Sequence, residues 1–354
     1  MDSLASFSYA VDTMVLGGLP ENYTITKPGW PIFLTALFSI FDFEQTSSYM
    51  QLQKISGIIF SSLAIFPLYY LCNRFVDKKY SIIPVALFAF APQLIENSLY
   101  GTSYSLFILF FISTIFLFLS NSKKLIFCSF FLAGITTIIR PEGIFLFFSM
   151  AVMLIFKFRK EHFKIPKYLF ALFLFFLVLL PVVIHAEEIH PGQSIFSRII
   201  HTSDRYLETS VEETNQTLAS EGSNDISILT GLTTLPVYLG WAMLPMFIIT
   251  APLGFILFFK KLTYDKITII TISIICSLPA LYAYSYPLQE TKYVYLLFPL
   301  FCIFSISPIK IFLDRFTKKN SIIIIILIIL VLTSILFYNY KIDTTYHYGC
   351  EPIC

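Results

Sequence analysis

Residues 321–338 read SIIIIILIILVLTSILFY, an apolar run without a single charged side chain. A helix needs about 20 predominantly apolar residues to cross the hydrocarbon of a bilayer. The run is continuous rather than alternating, which argues against a barrel strand. The same signature returns along the chain, near 55–73, 80–95, 102–121, 125–139, 144–156, 168–186, 240–259, 267–284 and 293–309. Hydrophobic residues make up 56% of the 354, aromatic residues 18%, with 39 Phe. A soluble domain of that composition would expose far too much apolar surface. The expected fold is therefore all-α: one polytopic helical membrane domain over 1–354 with ten transmembrane segments.

The charges are sorted between the gaps. The alternate gaps 74–79, 122–124, 157–167, 260–266 and 310–319 hold 17 of the 24 Lys and Arg and four of the 22 acids. The other gaps, with both termini, hold the remaining seven basic and 18 acidic residues. Cytoplasmic loops collect Lys and Arg, so both termini and the acid-rich loops are expected outside the cell membrane. The formal net charge of +2 comes from the inner loops and gives no reason to expect nucleic-acid binding.

Three outer regions are polar enough to build a site. In the first, 1–54, Ala5 to Leu19 suits a short amphipathic helix. Pro31 to Phe41 suits a second apolar helix too short to span, expected to lie in the interface. Trp30 in the turn between them suits the headgroup region. The second is the loop 187–239 and the third runs from Tyr286 to Tyr293, followed at the chain end by an outer tail, 339–354. Cys350 and Cys354 in that tail can pair under oxidising conditions. Cys72, Cys128, Cys276 and Cys302 read as core fillers. Asn22-Tyr23-Thr24 and Asn215-Gln216-Thr217 are outward glycosylation sequons. A chain whose first residue already lies outside is awkward to insert, and implies a preceding helix that starts inside. Nothing resembles a phosphate-binding Gly loop or a dinucleotide fingerprint.

Arg140 and Glu142 stand between the short apolar halves 125–139 and 144–156. Charged groups near membrane depth are costly and face a cavity or a partner. Two readings are open: an Arg–Glu pair capping a turn, or a guanidinium fork aimed at a phosphate. Lys292 on the same face is a second candidate phosphate contact, with Glu290 and Tyr293 beside it, or ordinary loop polarity. Glu96 either snorkels outward or supports the site. Asp2 and Asp12 flank the first outer helix, where a carboxylate beside a hydroxyl can accept its proton; a frayed terminus and a solvated helical charge are the alternatives. No good metal cluster is visible, and basic side chains would do the work elsewhere given to a metal.

The order Asp2, Asp12, Gly17-Gly18, then Lys27-Pro28-Gly29-Trp30-Pro31-Ile32-Phe33-Leu34 resembles the first outer loop of the GT-C glycosyltransferases. The branch in question includes the protein O-mannosyltransferases and aminoarabinose transferases. Its pattern is an acid, an Ala, a Gly, then Lys-Pro-Pro before an apolar helix; Ala10 and Lys27-Pro28 fit, and Gly29 replaces the second Pro. Gly134 to Gly143 resembles a second motif of that superfamily, and Lys292-Tyr293-Val294-Tyr295-Leu296-Leu297-Phe298-Pro299 a third. Ser3 stands where the family often has a second acid. The region of Ser103 and Tyr104 replaces a later outer Asp.

The resemblance implies a donor sugar carried on a polyprenyl phosphate, with its tail in the membrane lipid and its phosphate at the outer surface. It implies inverting transfer to a hydroxyl on a protein, glycan or lipid acceptor. Asp2 would take the proton, with Asp12 the second choice, and no cofactor would be needed. Arg140 and Lys292 would neutralise the leaving phosphate, with Lys27, Glu96, Tyr104, Glu142, Glu290 and Tyr293 in support. A transporter or lipid flippase is the rival; charges within the spans are too sparse for an ion path. A catalytically inactive scaffold of the same fold is the third reading.

Overall fold

The computed structural model describes residues 2–20, 25, 27–41, 43–159, 164–189, 228–260, 262–285 and 291–345. Among them all regular structure is helical. The order is α1 (Asp2–Leu16), α2 (Gly29–Phe38), α3 (Thr46–Leu63), α4 (Ile65–Cys72), α5 (Lys78–Ala89), α6 (Pro92–Leu99), α7 (Tyr104–Phe118), α8 (Lys123–Ile139) and α9 (Gly143–Lys157). Then come α10 (Lys164–Ile189), α11 (Ile228–Ala242), α12 (Pro245–Phe258), α13 (Tyr264–Ser285), a 3-10 helix (Thr291–Leu297), α14 (Phe298–Leu313) and α15 (Lys319–Thr345).

The expected apolar segments all fall on these helices. Among the described residues five stretches are long and apolar enough to cross a membrane, six when the bent pair α5–α6 is taken as one span. The other four segments fall on α7, α8, α9 and α12, which have 15, 17, 15 and 14 residues. The polytopic helical architecture is thus present, while length and composition establish fewer spans than ten.

Proline sets the breaks. Pro92 opens α6 after a 53° bend from α5. Pro141 follows Arg140, whose backbone is extended at φ −150 and ψ 132, so α8 ends there. A residue before proline is pushed out of the helical region in this way.

The turns gather at two ends. At the basic end Arg74 pairs with Asp265 at 2.9 Å, and the Tyr80 hydroxyl donates to Asp314 at 3.0 Å. Lys157 Nζ there donates to the carbonyls of Phe118 and Ser120, tying the end of α9 to the end of α7. Carbonyls at a helix C-terminus lack intrahelical partners, and a cation satisfies them. Between the ends, small residues let backbones close up. A Cβ on Gly254 of α12 would run into the Phe304 carbonyl of α14, the close approach that glycine allows between membrane helices.

Three expectations change. Trp30 is not at a headgroup surface: it is fully buried, its indole N–H donates to the Gly101 carbonyl at 3.1 Å, and it stacks on Phe33. A buried carbonyl satisfies the indole as well as water does, so the ring joins the core. Cys128 is exposed on the outside of the bundle, while Cys72, Cys276 and Cys302 are buried. The described part of 187–239 is not all loop, for Ile228–Ala242 forms α11 against α13. The sequons at Asn22 and Asn215, and the pair Cys350 and Cys354, lie outside the described residues.

Candidate active site

Opposite the basic end, the start of α7 and the α8–α9 turn meet around one side chain. The Arg140 guanidinium is 1% exposed. Its Nη1 donates to Ser103 Oγ at 3.1 Å. Its Nη2 donates to the Tyr104 hydroxyl at 2.8 Å and to Glu142 Oε1 at 2.7 Å. The guanidinium carbon also lies 3.7 Å from the centre of the Tyr104 ring. A buried charge survives only when paired and hydrogen-bonded, and here α7 supplies two contacts while the α8–α9 turn supplies the third. The pair that caps a turn is therefore real, and the fork is committed in part to the protein.

Glu142 joins a second cation to this turn. Burial pushes its carboxyl up, but the Arg140 charge and hydrogen bond, aided by Lys27, bring it below the usual range. The carboxylate thus stands in the field of two cations and leaves the turn net positive. Its Oε2 is buried without a hydrogen-bond partner.

Glycine explains how these parts approach. A Cβ on Gly29 would lie 2.7 Å from the Ile139 nitrogen, so the Lys27–Gly29 segment presses on the end of α8. Gly29 in place of a second Pro thus has a steric reason. Gly143 would meet the Thr137 nitrogen at 2.7 Å, which closes the α8–α9 hairpin. Gly143→Ala is expected to destabilise the protein by about 1–3 kcal/mol, the usual cost of overpacking against backbone that cannot yield. A thermal unfolding midpoint in detergent equal to that of the parent would contradict this.

The N-terminal end of α1 is tied to the same place. Gln53 Nε2 donates to the Gly101 carbonyl at 2.8 Å and to the Ser3 carbonyl at 3.1 Å. Gly101 has φ +62, a left-handed conformation that favours glycine. Its carbonyl also takes the Trp30 indole, so α1, α2 and α3 meet two residues before Ser103. Asp2 begins α1 beside Ser3. Asp12 lies ten residues further on, roughly 15 Å away along the axis at 1.5 Å per residue. The two acids cannot serve one reacting atom.

Lys292 is the second residue of the 3-10 helix, whose Tyr295 reaches the Tyr104 ring beside Arg140. Tyr295 meets Tyr104 edge-on at 5.4 Å between ring centres. Lys292 Nζ lies 5.5 Å from the Tyr293 ring centre. Glu96 accepts from Tyr100 at 3.1 Å, on α6 and apart from the Arg140 contacts. Glu290 lies outside the described residues, as does the side chain of Asp2. The reading of residues one by one missed Gln53, which ties Ser3 to Gly101. Among the described residues no group of three His, Cys, Asp or Glu side chains could hold a metal ion. A separate apolar groove of about 480 Å³ runs along α10 to His185 and Glu188, and shares no residue with this site.

Residues 26–185 match the sequence family of dolichyl-phosphate-mannose-protein mannosyltransferases. That stretch holds Lys27, Ser103, Tyr104, Arg140 and Glu142. No curated protein matches the chain. In fold it resembles the crystal structure of the Archaeoglobus fulgidus oligosaccharyltransferase in complex with Zn and sulfate. The TM-score is 0.63 at 13% identity, over 96% of this chain and 48% of that one. It also resembles the crystal structure of ArnT from Cupriavidus metallidurans bound to undecaprenyl phosphate. There the TM-score is 0.61 at 11% identity, over 90% of this chain and 56% of that one. The chain spans about half the length of these solved proteins.

Proposed function

We propose that the chain is a glycosyltransferase of the GT-C superfamily that moves a sugar from a polyprenyl-phosphate donor to a hydroxyl acceptor at the outer face of the cell membrane. The observation that carries this reading is the buried Arg140 guanidinium, held by Ser103, Tyr104 and Glu142 at the end opposite the basic loops. A charge buried in fixed hydrogen bonds needs no reorganisation when a phosphate becomes a leaving group, the condition under which electrostatic stabilisation is strongest.

In the step we envisage, the acceptor oxygen bonds to the anomeric carbon as the bond from that carbon to the phosphate oxygen breaks, with inversion. The acceptor proton passes to the Asp2 carboxylate, and the electron pair leaves with the polyprenyl phosphate. Arg140 sets the field beneath that phosphate, while Lys27 and Lys292 meet its oxygens. The undecaprenyl phosphate in the ArnT structure supports a donor of this class. The oligosaccharyltransferase structure named above is a complex with Zn and sulfate, but the described residues assemble no such site, and no step here runs through a metal.

The inactive-scaffold reading has one observation in its favour: three hydrogen bonds of the guanidinium already go to Ser103, Tyr104 and Glu142. Donor consumption separates the two. Purified protein in vesicles is supplied with labelled polyprenyl-phosphate hexose or pentose, and release of free polyprenyl phosphate is followed. The wild type is expected to release it when donor is offered at the outer face, the face at which a cysteine placed at Ser47 is labelled. A cysteine at Lys124 is expected to react only from the opposite side. Absence of release with every donor, or labelling of both positions from one side, overturns the proposal.

A further inference from the structure

Gln93 is an amide with 8% exposure, on α6 just beyond the bend from α5. Its Oε1 accepts from the Tyr295 hydroxyl at 2.9 Å, a fully buried bond between residues far apart in the chain. Tyr295 is itself 7% exposed and sits one turn along the 3-10 helix from Lys292. In a 3-10 helix side chains at i and i+3 eclipse, so fixing Tyr295 fixes the side of the helix that carries Lys292. The Tyr295 ring rests on Tyr104 at 5.4 Å, and Tyr104 holds Arg140 by hydrogen bond and by its ring face. The 3-10 helix is thus gripped between an amide behind it and the Arg140 platform in front.

We propose that Gln93 and Tyr295 are positioning residues that set the spacing between Lys292 and Arg140 and so tune the affinity for a polyprenyl phosphate. The inference rests on the reading that both cations meet one phosphate. A 3-10 helix of seven residues has poorer hydrogen bonds than an α-helix, and its register needs an outside anchor. A polar anchor is directional, where apolar packing alone would let the helix slide. Misplacement of a binding group by about 1 Å can cost as much as 100-fold.

The chemistry of the pair supplies a clean test. Removing one partner leaves the other buried and unsatisfied, which lowers stability for trivial reasons. Replacing both by apolar groups of similar shape is close to neutral. The double variant Gln93→Leu/Tyr295→Phe is therefore expected to unfold at nearly the wild-type temperature, yet to bind undecaprenyl phosphate in nanodiscs about tenfold more weakly. In a Lys292→Ala background the same double change is expected to add nothing, because the group it positions is gone. Wild-type affinity in a stably folded double variant overturns the inference alone. An undiminished effect in the Lys292→Ala background does the same. A wild-type protein that binds no polyprenyl phosphate removes the functional reading and this inference with it. If the double variant fails to fold, Tyr295→Phe alone, compared with and without Lys292→Ala, gives the same decision.

Discussion

Arg140→Ala is expected to abolish donor consumption and to lower thermal stability together. The guanidinium is the partner of a carboxylate whose side chain is 20% exposed, at 2.7 Å. Breaking a buried pair by removing one member costs about 3–5 kcal/mol, because the other charge stays behind. Turnover and folding must therefore be separated. Glu142→Gln added to Arg140→Ala removes the orphaned charge and is expected to recover much of the stability without recovering turnover. Arg140→Lys keeps the charge but not the fork, and a single ammonium cannot reproduce the planar set of contacts to Ser103, Tyr104 and Glu142. It is expected to fold better than Arg140→Ala and to remain nearly inactive. Lys292→Ala, which removes a half-exposed point charge, is expected to weaken donor binding by roughly 10- to 150-fold, the worth of a hydrogen bond to a charged group. Unfolding in detergent and polyprenyl phosphate release measure the two effects, and wild-type release by Arg140→Ala would remove the residue from the mechanism.

Asp2→Asn is expected to lower turnover by about 10²- to 10⁴-fold, the usual contribution of a positioned general base. Donor affinity is expected to stay within a small factor, since the carboxamide keeps the shape and cannot take the proton. The reason to favour Asp2 over Asp12 is geometric. The Ser3 carbonyl shares Gln53 with the Gly101 turn, two residues before Ser103 and its bond to Arg140. Asp12→Asn is expected to leave turnover unchanged. Rate constants for the two variants under saturating donor make the comparison, and the opposite ranking would move the base to the other end of α1.

Much of this was legible along the chain. Arg140 between two apolar halves, Lys27 before the Pro and Gly of α2, and the aromatic run after Lys292 all pointed to one end of a bundle. Each was visible because a charge in an apolar environment is costly and stands out. Trp30 was misplaced because an indole suits both a headgroup layer and a core with a free carbonyl. Nothing local distinguishes the two, and the carbonyl that decided it belongs to Gly101, far along the chain. Cys128 reads as a core filler and is exposed, because a period of apolar residues in a membrane helix does not tell lipid from protein.

Hydropathy by itself determined that the chain is a polytopic helical membrane protein. The reason is that the bilayer acts on each segment separately, through length, apolarity and flanking charge. What Arg140 touches, why Gly29 and Gly143 carry no side chain, and how Gln93 reaches Tyr295 were decided only by tertiary structure. Those contacts join residues tens to hundreds of positions apart, and depend on how close two backbones come and on where a helix breaks. Single side chains show neither, because a buried hydrogen bond is a property of two surfaces in register.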